Sequence, residues 1–199
     1  MNNNDEWRKL DIHVMKRYAE AFNINYSMIE RKLFSAFKEP FSDPIIHKRI
    51  RLLDSYYRTG LARKKLVGGA TDMIIKKGKS FEDRIRGGDD AAVKEIARCK
   101  EFNCFVFATK YCSFLNTDFY PIYDSNVAKA LNWYQSAKDQ HFCNKRCLGL
   151  QNIRESGDYP KFKQIIDDFA EFYGLLDENG KPFYKAIDKF LWIVGKNME

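Results

Sequence analysis

The run Cys104-Phe-Val-Phe-Ala-Thr-Lys-Tyr-Cys-Ser-Phe-Leu-Asn-Thr-Asp-Phe-Tyr-Pro-Ile-Tyr-Asp-Ser-Asn-Val127 governs the reading of this chain. Its opening, Cys104 to Ala108, is apolar on every side, which in a helix implies a central, buried element. The same helix carries Lys110. Asn116 to Pro121 read as a loop, and Asp124, followed by Ser125 and Asn126, opens another helix running to about residue 138. The segment thus places one amine and one carboxylate in or beside an apolar core.

Helical signals continue on both sides. Residues 5–22 predict an opening helix, and Ser27-Met-Ile-Glu30 fits a capping box that starts a second helix ending near Phe37. Pro40 and Pro44 break the chain. Ile46, Ile50, Leu53 and Tyr57 then form one stripe of an amphipathic helix that Gly60 ends. Residues 60–90, rich in glycine and basic side chains, predict short helices joined by loops. Asp89 or Asp90 caps a helix from Ala91, and residues 91–115 read as helical with a break near Asn103. Residues 139–158 look irregular. Phe162, Ile165, Ile166, Phe169 and Phe172 mark a further helix, Asp177 to Lys181 a turn, and Pro182 the first turn of a last helix with Ile187, Phe190, Leu191 and Val194 inward. The expectation is a compact all-α protein, residues 1–199 as a single domain with a basic, glycine-containing segment at 60–90.

Composition narrows the function. No run approaches the roughly 20 apolar residues of a membrane span, and Met1 to Leu10 lacks a secretion-signal pattern, so a cytoplasmic protein with no membrane partner is expected. Five cysteines agree with free buried thiols in a reducing compartment. Cys143 and Cys147, with His141 nearby, offer half of a metal site, but no second half has recognisable spacing, and no metal or other cofactor is expected. Three histidines lend no support to a histidine-based triad; His13 and His47 read as ordinary surface or core residues. Val67-Gly-Gly-Ala-Thr-Asp72 could bend around a phosphate but lacks the Lys-Ser/Thr ending of a nucleotide-binding loop. The net charge is +7, and residues 48–86 concentrate it, with twelve Lys and Arg against four acids. Such a segment suits a phosphate backbone or, more plainly, a solvated lysine-rich face. Arg63, Lys64 and Lys65 are its central candidates for phosphate contact.

Thr109-Lys110 on an apolar helix, Pro121-Ile-Tyr-Asp124 after it, and the closing Ile187-Asp-Lys-Phe-Leu-Trp-Ile-Val-Gly195 together resemble the helix-hairpin-helix DNA glycosylase superfamily, in particular its bacterial group similar in fold to 8-oxoguanine DNA glycosylase. The resemblance covers about a fifth of the chain. It implies an orthogonal helical core, duplex DNA as partner, and excision of a modified base, with or without strand cleavage, with Lys110 as nucleophile and Asp124 as acidic partner. A carboxylate stabilises the positive charge that develops on the sugar. A neutral amine can attack the anomeric carbon to form a Schiff base, and burial among Phe105, Phe107 and Phe114 would lower the lysine from its free pKa of about 10.4. Flipping the base costs a few kcal/mol, which a basic groove and stacking offset; Tyr111, Tyr120 and Tyr123 are candidate pocket walls. Where the superfamily has a glycine-rich hairpin, this chain has Cys99 to Thr109 without glycine. Each residue also has a plainer role: Lys110 as a snorkelling side chain, Asp124 as a helix cap. The alternative function is a non-catalytic nucleic-acid-binding or interaction module on the same scaffold.

Overall fold

A computed structural model describes residues 7–99, 102–136, 141–143 and 148–198. Helices dominate them: α1 (Ile12–Lys38), α2 (Asp43–Tyr57), α3 (Val67–Arg86), α4 (Ala91–Ala97), α5 (Phe105–Leu115), α6 (Ser125–Ser136), α7 (Leu150–Ser156), α8 (Tyr159–Phe172) and α9 (Tyr184–Lys196). Between α4 and α5 lies a two-residue antiparallel ladder, β1 (Arg98–Cys99) with β2 (Phe102–Asn103), in the register Arg98↔Asn103 and Cys99↔Phe102. This is the break expected near Asn103. The buried side chains form one contiguous cluster, and α5 runs through its middle with ten of its eleven residues buried. That follows from a sequence apolar on all faces, since no orientation of the helix would bury only part of it.

Four expectations are corrected. First, α1 is one continuous helix from an Asp11 cap, whose Oδ1 accepts the N–H groups of His13 and Val14 at 2.8 Å. Ser27 lies inside it, and Glu30, instead of reaching back to a helix end, pairs with Lys185 at 3.1 Å and Lys189 at 2.7 Å on α9. The tertiary ion pairs and the burial of Met15, Ala19 and Phe22 before Ser27 and of Leu33 and Phe37 after it override the local capping signal. Second, residues 67–86 form a long helix interrupted once, at Gly78 (φ 77°), and Gly68 and Gly69 lie in its first turn, not in a phosphate loop. Burial of Ala70, Ile74, Phe81 and Ile85 outweighs the poor helix propensity of glycine. Third, the stretch expected to be irregular contains α7, a two-turn helix bounded by left-handed Gly149 and Gly157, too short for periodicity to reveal. Fourth, Phe172 at the end of α8 is exposed. Ile46, Ile50, Leu53 and the inward face of α9 are buried as expected. The expected ends of the first and sixth helices, residues 5–6 and 137–138, and Cys147 lie outside the described residues.

Arg49 joins the N-terminal helices. Wholly buried on α2, it pairs with Glu82 of α3 at 2.6 Å and donates to the carbonyls of Ala36, Phe37 and Glu39 at the end of α1. One charged group thereby satisfies helix-end acceptors that have no partner within α1.

The α2–α3 connection is held by Asp54. Its Oδ1 accepts the Thr59 hydroxyl at 2.5 Å and the Leu61 N–H at 2.9 Å, and Oδ2 accepts the Ala62 N–H at 2.8 Å. The turn includes Arg58 and Lys65 in left-handed conformation. Burial opposes ionisation of Asp54, but Thr59 and the backbone N–H groups outweigh it and hold the carboxyl below its usual range.

At the other end, α9 crosses the start of α6 so closely that a Cβ on Gly195 would lie 1.9 Å from the Asn126 carbonyl oxygen. The obstacle is backbone, so a side chain cannot yield. Gly195→Ala is expected to cost about 1–3 kcal/mol or more, measured by urea denaturation. Asp54→Asn should cost about 1–3 kcal/mol at pH 7. Because the folded-state pKa is depressed, this difference should be fully present above about pH 4 and shrink as pH falls through the lower folded value, which parallel urea titrations of both proteins would follow.

Candidate functional site

The dipeptides singled out in the sequence meet in space. Thr109 Oγ1 on α5 accepts the Tyr123 N–H at 3.2 Å, and the neighbouring Lys110 Nζ donates to Asp124 Oδ2 at 2.8 Å. Two adjacent bonds thus lock Thr109-Lys110 to Tyr123-Asp124. The other Asp124 oxygen, Oδ1, accepts the Asn126 N–H at 3.0 Å, so the residue caps α6 and pairs with the lysine at once. The Lys110 side chain is 3% exposed and that of Asp124 16%. A buried cation of this kind depends on its partner, because an unpaired one would carry a desolvation penalty of several kcal/mol. The Tyr57 ring, 4.8 Å from Lys110 Nζ, supplies a second electrostatic contact.

Lys110 and Asp124 lie at the wall of a cleft of about 900 Å³, which Arg58, Arg63, Lys64, Lys129 and Arg154 also line. Asp54 is the other carboxylate there, and its oxygens are engaged by the α2–α3 turn. The lining charge is therefore predominantly positive. β2 contacts two residues of the lining: Phe102 is exposed with Lys64 Nζ 5.6 Å from its ring centroid, and Asn103 donates to the carbonyls of Arg154 and the neighbouring Glu155. A smaller pocket of about 100 Å³ reaches the same ion pair, walled by Phe22, Tyr26, Tyr56, Tyr57 and Trp192, with Asp188 beside Lys110 and Asp124.

Other sequence candidates are placed elsewhere. Tyr111 packs in the core against Phe37 and Phe107, and Tyr120 is buried with its hydroxyl on the Asp89 carbonyl; neither lines the cleft or the pocket. Helical geometry explains Tyr111, since a neighbour of Lys110 points about 100° away from it. Tyr123 does line the cleft, though its hydroxyl is occupied by the Leu150 carbonyl at 3.2 Å. Arg63 and Lys64 line the cleft and Lys65 does not.

Much of the basic segment's charge serves the fold. Arg49 and Arg86 converge on Glu82, Arg84 pairs with Asp89 and Glu95, Lys77 with Glu95, and Lys48 with Glu39. Lys129 and Arg154, outside that segment, were missed because their approach to the cleft is purely tertiary. Trp192 and Asp188 were legible only as part of the closing motif; their spacing of four puts them on one helix face. Among the described residues no group of His, Cys, Asp or Glu is arranged to hold a metal ion. His141 Nδ1 lies 2.6 Å from the Gln135 carbonyl oxygen. No described helix is long and apolar enough to cross a membrane.

Comparison with known proteins adds a family. A protein of Haemophilus influenzae described as uncharacterized is 32% identical over 124 residues, covering 60% of this chain and 53% of the relative. The chain thus spans about half the length of the curated relative it matches. No solved structure matches. The family model of the HI_0787 N-terminal domain matches residues 10–119, a stretch that includes Lys110 and ends before Asp124. By that match over more than half its length, the chain belongs to the HI_0787 N-terminal domain family.

Proposed function

We propose that this protein binds duplex DNA along the cationic cleft and removes a modified base by attack of Lys110 on the anomeric carbon, with Asp124 as its acidic partner, on a scaffold of the helix-hairpin-helix DNA glycosylase kind. The observation that carries the proposal is the 2.8 Å Lys110–Asp124 pair, which lines both a cationic cleft and an aromatic pocket. The five flanking cations track a phosphate backbone. The pocket walls offer ring faces on which a base turned out of the duplex stacks. Asp124 takes the proton that Lys110 must lose to become a nucleophile. Attack forms a bond from Nζ to C1′ as the base departs with the electron pair of the glycosidic bond. Opening of the sugar then gives the Schiff base from which strand cleavage proceeds.

The near-complete burial of Lys110 favours a second reading, in which the pair is structural and the cleft only binds. Trapping separates the two. With sodium borohydride and duplexes carrying either a modified base or a preformed abasic site, the wild-type protein should form a covalent adduct. Lys110→Arg keeps the cation for Asp124 but offers no neutral amine, so it should fold and bind DNA while losing the adduct; Lys110→Gln should lose it too. Adduct formation by Lys110→Arg, or none by the wild type, would leave the binding reading. Replacing Arg63 and Lys64 together by Gln should weaken DNA binding irrespective of sequence and lower the slope of log K against log salt by roughly 2, measured by fluorescence anisotropy.

A further inference from the structure

Asp188 is the titratable group at the site to which the preceding mechanism gives no task. It lies on α9, one helical turn before Trp192, and lines the aromatic pocket together with Lys110 and Asp124. Asp124 spends one oxygen on Lys110 and the other on a backbone N–H. Asp188, by contrast, makes no hydrogen bond among the described residues, and the nearest cation, Lys185 Nζ, is 3.8 Å from Oδ2. Lys185 is itself drawn 3.1 Å from Glu30, whose other oxygen holds Lys189.

On the glycosylase reading above, we propose that Asp188 is the acid that protonates the departing base, and that the substrates are accordingly neutral modified purines, not cationic N-alkylated ones. A neutral purine that leaves with the electron pair of its C1′–N bond leaves as an anion, which an aromatic pocket of low polarity solvates poorly. A proton delivered to a ring nitrogen as the bond breaks makes it leave neutral. The step balances: the bond from Lys110 Nζ to C1′ forms, the C1′–N bond breaks towards the base, the Asp188 proton passes to the base, and Asp188 is left as a carboxylate facing Lys185. An N-alkylated purine already carries positive charge, departs neutral unaided, and has no use for the acid.

The surroundings suit a group that must hold a proton near neutral pH. Burial pushes the Asp188 carboxyl up to about 6; Lys185 and Lys110 oppose this, and Asp124 and Glu30 reinforce it. The Tyr57 phenol faces the same carboxylates and is itself pushed up by burial, so it stays protonated and adds no charge. The charged groups around Asp188 thus come from α1, α5, the start of α6 and α9.

The test is single-turnover excision by wild type and Asp188→Asn between pH 5 and 8.5. The substrates are duplexes carrying 8-oxoguanine, hypoxanthine or 7-methylguanine, with borohydride trapping on a preformed abasic site as the control. Wild type should excise at least one of the two neutral bases, its log rate falling as pH rises above about 6. Asp188→Asn should lose about 10²-fold or more on those bases and the pH dependence with it, while trapping the abasic site as wild type does. Any wild-type rate on 7-methylguanine should be unchanged by the substitution. Equal losses on neutral and cationic bases, loss of abasic trapping in the variant, unimpaired neutral-base excision by the variant, or wild-type activity confined to 7-methylguanine would each overturn the assignment. A wild type that traps no abasic site defeats the Lys110 reading itself, and this one with it.

Discussion

The guanidinium of Arg49 is the constraint on which the N-terminal half is built. Placing a charge at zero exposure is unfavourable unless its donors find acceptors. Here one carboxylate and three carbonyls accept four hydrogen bonds from it. Those acceptors come from the end of α1 and from α3, while the arginine sits on α2, so satisfying the charge draws the three helices together. Arg86 repeats the theme from α3, donating to Phe37 and Glu82. The turn from α2 to α3 inherits its position from this arrangement, and Asp54 fixes its conformation. The cationic rim of Arg58, Arg63 and Lys64 is therefore carried by a connection anchored at both ends.

The other wall depends on closeness of backbones. The absence of a side chain at Gly195 lets α9 settle against the first turn of α6. That contact fixes the turn whose cap is Asp124 and sets Asp188 and Trp192, on the same face of α9, beside it. Lys110 arrives from α5, the most enclosed helix, and finds its counter-charge where α6 begins. The pair belongs neither wholly to the core nor wholly to the surface. Its charges need each other inside the protein, and yet both a broad basic cleft and a small aromatic pocket reach them.

A good part of this was legible in the sequence. Helix positions followed from 3.6-residue periodicity and from prolines, and the pairing of Lys110 with Asp124 followed from motif likeness. The failures have physical causes. The capping signal at Ser27 lost to long-range ion pairs made by Glu30. The glycines at 68 and 69 suggested a loop, but one apolar face was enough to keep them helical. Tyr111 was next to the amine in sequence but points away from it, because adjacent residues on a helix point in different directions, and Tyr120, in the loop after α5, is buried with its hydroxyl on the Asp89 carbonyl.

By itself the sequence determined the helical class and the buried centre, since both rest on local periodicity and on side chains apolar all round. It also determined that an amine and a carboxylate would stand close to that centre. Only the tertiary structure decided which of the many basic side chains remain available to a ligand and which are absorbed by Glu82, Glu95 and Asp89. It alone joined Asp188 and Trp192 to a pocket whose aromatic wall otherwise comes from α1 and α2 and which Lys110 and Asp124 also line. Charge pairing and pocket formation act across space between residues far apart in the chain, and no local pattern records them.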